Sequence, residues 1–158
     1  MRIRRPRAQN GNAMVEFAFV FLPLLALVIG AFDFSYAIFV KATLHHAVRE
    51  GVRFAITGRL LPGESYHDES IRKVVKRNAL GLLNSTANYN RIQINYYLAD
   101  GLGSTPNNAA GNIVVVKVAS YPVLPVASLL RSPNPFDLTV SATDKMEPFP
   151  GAAPPRAP

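Results

Sequence analysis

Polar and apolar positions change their rhythm several times along the chain. Residues 1–11 are basic and polar, contain Pro6 and Gly11, and show no apolar periodicity, which predicts an unstructured leader. From Phe17 to Val40 there are 24 residues and a single charge, Asp33. At 1.5 Å rise per residue a helix of this length covers ~36 Å, enough to cross a ~30 Å hydrocarbon core with some tilt. Helical spacing continues to about Thr57, with Leu44, Val48, Gly51, Val52 and Ala55 on one face, and Gly58 is placed to cap it. Along that face Ala47, Gly51 and Ala55 repeat every fourth residue, a spacing of small side chains that lets another backbone approach closely.

"RLLPGESYHDES" carries Pro62 and Gly63 and reads as a loop ending near Asp68, a candidate N-cap. From about Glu69 to Leu83 the residues Ile71, Val74, Val75, Ala79, Leu82 and Leu83 keep helical spacing, and Arg72, Lys73, Lys76 and Arg77 take the opposite face. After "NSTANYN" the period becomes two. Ile92, Ile94, Tyr96 and Leu98 alternate with polar or larger partners as in a half-buried strand. Asp100 to Asn112 reads as loop, and Ile113 to Tyr121 as a central strand apolar on both faces. The four prolines of "PVLPVASLLRSPNP" forbid a long regular element there. Leu138, Val140 and Ala142 open a third strand that runs to about Met146, and residues 148–158 form a Pro-rich tail with too little apolar content to pack.

The fold class is therefore α+β: a long N-terminal membrane-spanning helix, with a second amphipathic helix packed on a small antiparallel three-stranded sheet. Its parts are a leader (1–11), a helix (12–57) whose span is 17–40, a domain (58–147) and a tail (148–158).

Charge adds an orientation. The net charge is +7, and the four arginines Arg2, Arg4, Arg5 and Arg7 supply 4 of it, leaving +3 for the rest. Arginines ahead of a span hold the N-terminus in the cytoplasm, which sends the domain across the membrane, in a bacterium to the periplasm. A cleaved secretory signal would also begin with a basic region. The apolar run here exceeds the usual h-region, and a helical pattern rather than a small-residue cleavage site follows it. The chain has no cysteine, so neither disulfides nor thiolate zinc sites are available to the domain.

Candidate chemistry is sparse. His45 and His46 are neighbours pointing about 100° apart on a helix, a poor geometry for a shared metal. His67 reads as a loop residue without a visible partner. The basic face of Arg72, Lys73, Lys76 and Arg77 reads as a solvated helix face, with anionic lipid, extracellular polymer or DNA as other occupants. No aromatic residues interleave with it to stack on bases, which argues against nucleic acid. Gly101 and Gly103 need only a turn. No nucleophile with a base, no paired carboxylates in a cleft and no cofactor fingerprint is visible, so neither enzymatic activity nor a cofactor is expected.

One short stretch stands apart. In "NGNAMVEFAFVF" Gly11 lies five positions before Glu16, a carboxylate at the edge of the apolar run. This spacing resembles the processing site of type IV prepilins, which implies cleavage after Gly11 by a prepilin peptidase to leave Asn12 as the new N-terminus. Glycine there lets a protease draw the backbone close. With Pro23, the Gly30 to Asp33 segment, "HHAVREGVRFAITG" and "LTVSATDKMEP", the chain resembles TadE-like minor pseudopilins of the tight-adherence (Flp) pilus system over most of its length. The resemblance implies a pilin-like fold, a structural role in assembling an adhesive pilus, and other pseudopilins, Flp assembly proteins and the lipid bilayer as partners.

It also implies a role for Glu16, which in pilins pairs with the N-terminal ammonium of a neighbouring subunit; such a pair sets register more than net stability. Asn12 departs from the apolar, N-methylated first residue of many mature pilins. Asp33 lies ~25 Å beyond Glu16 along the helix and reaches the opposite interface. The small-residue stripe of Ala47, Gly51 and Ala55 is a further assembly candidate, facing either the sheet or another pseudopilin's helix. A different class of function, an uncleaved single-pass membrane protein with a ligand- or partner-binding periplasmic domain, is the alternative.

Overall fold

The computed structural model describes residues 10–101, 103–125, 136–149 and 153–156. In chain order the elements are α1 (Asn10–Ile56), α2 (His67–Asn78), α3 (Thr86–Tyr89), β1 (Ile92–Tyr97), β2 (Ser104–Thr105), β3 (Ile113–Val123) and β4 (Phe136–Lys145).

α1 is one unbroken helix of 47 residues that carries Pro23 inside it. It starts at Asn10, so two residues assigned to the unstructured leader are already helical; extending an existing helix backward requires no new nucleus. Residues 1–9 of the leader lie outside the described residues. From Met14 to Phe39 the large apolar side chains project outward, Phe19 at 78% exposure among them. Among the described residues this is the one helix long and apolar enough to cross a membrane. At the other end Gly58 takes a positive φ of 60° and its N–H bonds to the Ala55 carbonyl, closing the helix as a glycine just past a C-terminus does.

The sheet has four strands rather than three, in the order β2-β1-β3-β4 with every pairing antiparallel. The added strand, β2, is two residues long and lies inside the stretch read as loop; too short to show alternation, it is recruited by Tyr96 and Tyr97 of β1. β3 runs past Tyr121 through Pro122 to Val123. It can do so because the β1 pairing begins with Ile92 opposite Val118 and does not extend to Pro122, and a strand that has lost one neighbour tolerates a residue without an N–H. Residues 126–135, which include most of the proline-rich stretch, lie outside the described residues.

α2 also differs from the pattern. It begins at His67 with Tyr66 as N-cap, and no side chain caps it, so Asp68 lies in the first turn instead of capping. It ends at Asn78 because Leu80 and Gly81 adopt φ of 48° and 87°. Ala79 and Leu83 remain buried in the turns that follow, which is why the helical spacing reads on to Leu83. Leu98, assigned to the apolar face of β1, follows the strand's end and is exposed.

One core unites these elements. Val40, Leu44, Val48 and Val52 of α1 join Ile71 and Val75 of α2, Ile92 and Tyr96 of β1, Val114, Val116 and Val118 of β3 and Val140 of β4. α1 therefore has two halves: one with its side chains exposed, the other the central strut of an α+β domain.

Candidate functional site

The candidate segment begins in the first turn of α1. Gly11 and Asn12 are helical residues of α1. Glu16 is exposed, one turn on, and one carboxylate oxygen accepts a 2.8 Å hydrogen bond from the side-chain amide of Asn12. The bond joins residues four apart on the same helix face. It brings two of the predicted site residues together and gives the polar Asn12 a defined partner. Immediately above, Phe17 and Phe21 stack with ring centroids 5.2 Å apart. A shallow apolar notch follows beside Pro23, lined by Met14, Val15, Ala18, Phe19 and Leu22. Pro23 has no N–H to offer the Phe19 carbonyl, so the helix is locally loosened there.

Ala47, Gly51 and Ala55 are buried more than thirty residues further along, and the structure does not bring them near Glu16. Their face meets the chain's own α2 and sheet. A Cβ built on Gly51 would stand 2.4 Å from Cγ2 of Val75 and 3.6 Å from Cγ1 of Val116. Glycine is what permits this approach, and of the two partners foreseen for the stripe the intramolecular one occupies it.

A second polar cluster lies at the far end of the domain, and nothing in the hydropathy pattern points to it. Residues 153–156, at the end of the tail read as unable to pack, dock against the start of α2. Arg156 donates from Nε and Nη2 to Asp68 Oδ2 at 3.0 and 2.9 Å and from Nη1 to the Pro106 carbonyl at 2.6 Å. The Tyr96 hydroxyl donates to the other Asp68 oxygen at 3.1 Å, and the guanidinium lies 4.4 Å from the centre of the Tyr96 ring. The backbone N–H of His67 donates to the Pro155 carbonyl, and the Asn108 amide to that of Pro154. The segment is held by hydrogen bonds and one ion pair, not by apolar content.

His67 is thus a buried residue at the start of α2. Asn108 Nδ2 stands 3.4 Å from its Nδ1, which places the ring proton on Nε2, a buried atom with no hydrogen-bond partner among the described residues. Burial holds its pKa below the ordinary value; Asp68 opposes that and Arg156 adds to it. The Tyr96 hydroxyl is pushed well above its usual range by burial and then by Asp68.

The basic face of α2 is partly engaged. Lys73 pairs with Glu64, which raises the lysine's pKa, and Lys76 lies over the Tyr89 ring. His45 and His46 are exposed on α1.

Neither a curated protein nor a solved structure matches the chain. Residues 11–53 match the model of the family described as TadE-like protein, a stretch that begins at Gly11, takes in Glu16 and the whole apolar run, and ends beyond Gly51; over that stretch the chain is similar to the TadE-like proteins.

Proposed function

We propose that this protein is a minor pseudopilin of a tight-adherence (Flp) pilus system. It is inserted in the bacterial inner membrane through α1, with its N-terminus cytoplasmic and its α+β domain periplasmic. A prepilin peptidase cuts it between Gly11 and Asn12, and the mature helix assembles with other pseudopilins to support an adhesive pilus. Its action is structural. The observation that carries this reading is the match at residues 11–53, which starts at the glycine of the proposed cut and covers the membrane-type helix.

Two features of α1 support it. An exposed carboxylate sits at the beginning of the apolar run, where ionisation is tolerated; at the centre of a bilayer it would cost about 2.5–3.5 kcal/mol even on the milder insertion scale. Among the described residues the large apolar side chains of the first half of the helix are exposed, which leaves them for lipid and for other subunits. Gly11→Leu tests the reading. The variant should accumulate uncut in membranes and fail to restore piliation, whereas normal maturation contradicts the proposal.

One observation favours the alternative, an uncleaved single-pass protein with a partner-binding periplasmic domain. α1 runs back through Gly11 to Asn10 without a break, so the helix is complete while the leader is attached. Under that alternative Gly11→Leu has no effect on chain length or function.

A further inference from the structure

α1 fixes how far the domain can stand from the membrane. Val40 already belongs to the domain's core and Ala37 packs against it, although both lie within the apolar run, and the helix is continuous through them. The 20 residues from Phe17 to Tyr36 span ~30 Å, the thickness of a hydrocarbon core. No linker separates the two parts, so the end of the domain nearest Ala37 lies at the level of the lipid headgroups.

The residues at that end can be identified from the packing. α2 runs antiparallel to α1: His67 neighbours Phe54 and Val75 neighbours Gly51, while Arg77, Asn78 and Leu80 face Ala42, Thr43 and His46. β4 ends beside the far end of α1, where the Glu147 N–H bonds to the Ile56 carbonyl. Its beginning and the end of β3 therefore point toward the membrane. Three large apolar side chains lie toward this rim of the domain, Leu80 just past α2 and Leu124 and Phe136 where β3 ends and β4 begins, at 73%, 60% and 47% exposure. They are the most exposed large apolar residues described in the domain. Lys41 and Arg77, both exposed, accompany them, with the carboxylates of Asp137 at the start of β4 and of Asp33 one turn before Ala37 on α1; the guanidinium of Arg91 is engaged by the Ser120 carbonyl.

We propose that this rim is a lipid-contacting surface: Leu80, Leu124 and Phe136 enter the interfacial layer of the bilayer that α1 crosses, and Lys41 and Arg77 bind the phosphates of anionic lipids. Apolar area and cationic side chains at one level are the two contributions that hold proteins in a membrane interface, and each cation near an anionic surface strengthens the attachment. The contact fixes the rotation and depth of α1 and keeps its N-terminal half in one orientation. The inference rests on α1 crossing the bilayer and is independent of cleavage or pilus assembly.

The chain has no cysteine, so single labels can be placed cleanly. The full-length protein carrying Leu80→Cys, Leu124→Cys, Leu60→Cys or Leu27→Cys is labelled with an environment-sensitive fluorophore. It is then reconstituted in phosphatidylcholine vesicles with and without phosphatidylglycerol. Leu60 is a control at the far end of the domain and Leu27 a control within the span. Probes at 80 and 124 should be quenched several-fold more by lipid-borne quenchers than the probe at 60. Phosphatidylglycerol should strengthen that quenching, and Lys41→Gln with Arg77→Gln should remove the strengthening. Equal quenching at 80, 124 and 60 overturns the proposal while leaving the span intact if 27 is quenched. Absence of quenching at 27 overturns both the span and the rim. Protection at 80 that grows with protein-to-lipid ratio instead assigns the rim to a second copy of the chain and overturns the lipid assignment.

Discussion

Arg156 places two N–H donors on one oxygen of Asp68 while Tyr96 holds the other oxygen, so a residue 88 positions downstream completes the first turn of α2. With 24% and 11% side-chain exposure the pair is shielded enough to matter and open enough to avoid the full cost of a buried charge. Arg156→Ala should lower stability by about 1–3 kcal/mol, because Asp68 keeps its charge and loses its strongest donors. Arg156→Lys, which keeps charge but loses the fork, should fall between the two. Urea midpoints of the detergent-solubilised protein check this, and an unchanged midpoint for Arg156→Ala would show that the docked segment is only an ornament on the fold.

Close approach of α1 and α2 at Gly51 gives a second expectation. Gly51→Ala forces a methyl against a stiff, buried valine and should cost about 1–3 kcal/mol. Val75→Ala alone should also destabilise, by opening a void. The double variant should be more stable than the sum of the two effects predicts, since each change relieves the other. Additive losses measured by the same denaturation would place the strain elsewhere.

His67 makes stability depend on pH in a definite direction. The folded state holds its pKa below the ordinary value near 6.5, so in the window below 6.5 the unfolded chain binds a proton that the folded chain does not. Stability should therefore be unaffected by this residue above about pH 7 and should fall as pH drops through 6.5 toward the folded value. His67→Gln should flatten that part of the profile, and a wild-type profile with no slope there would remove His67 from the account.

Glu16 is expected to act on association and not on insertion. Glu16→Ala should reach the membrane and be processed as the wild type is, since the apolar run and Gly11 are untouched. Capture of a differently tagged second pseudopilin should drop several-fold. Normal capture would leave the carboxylate with nothing beyond its bond to Asn12.

The elements that sequence periodicity revealed are those in which one face repeats. α1 and the alternation of β1 and β4 are legible because burial on one side leaves a regular trace, as is the Ala47, Gly51 and Ala55 stripe; β3 was legible as an apolar run read as buried on both faces, whereas one face alternates as the more buried. What escaped depends on single long-range contacts. β2 is too short to carry a period, and β3 passes through Pro122 only because its pairing with β1 does not extend that far. The start of α2 looked like a capped helix at Asp68; that carboxylate is instead taken by Arg156 and Tyr96, neither of them near it in sequence. At the candidate site, the glycine-to-glutamate spacing was visible in the letters, while the Asn12 bond to Glu16 required a helix that begins before the proposed cut.

The central claim is settled most directly by the mass and N-terminal sequence of the protein recovered from membranes with and without the prepilin peptidase. The account predicts a chain beginning at Asn12 only when the peptidase is present. An intact N-terminus in both strains would contradict it and identify the protein as an uncleaved membrane anchor.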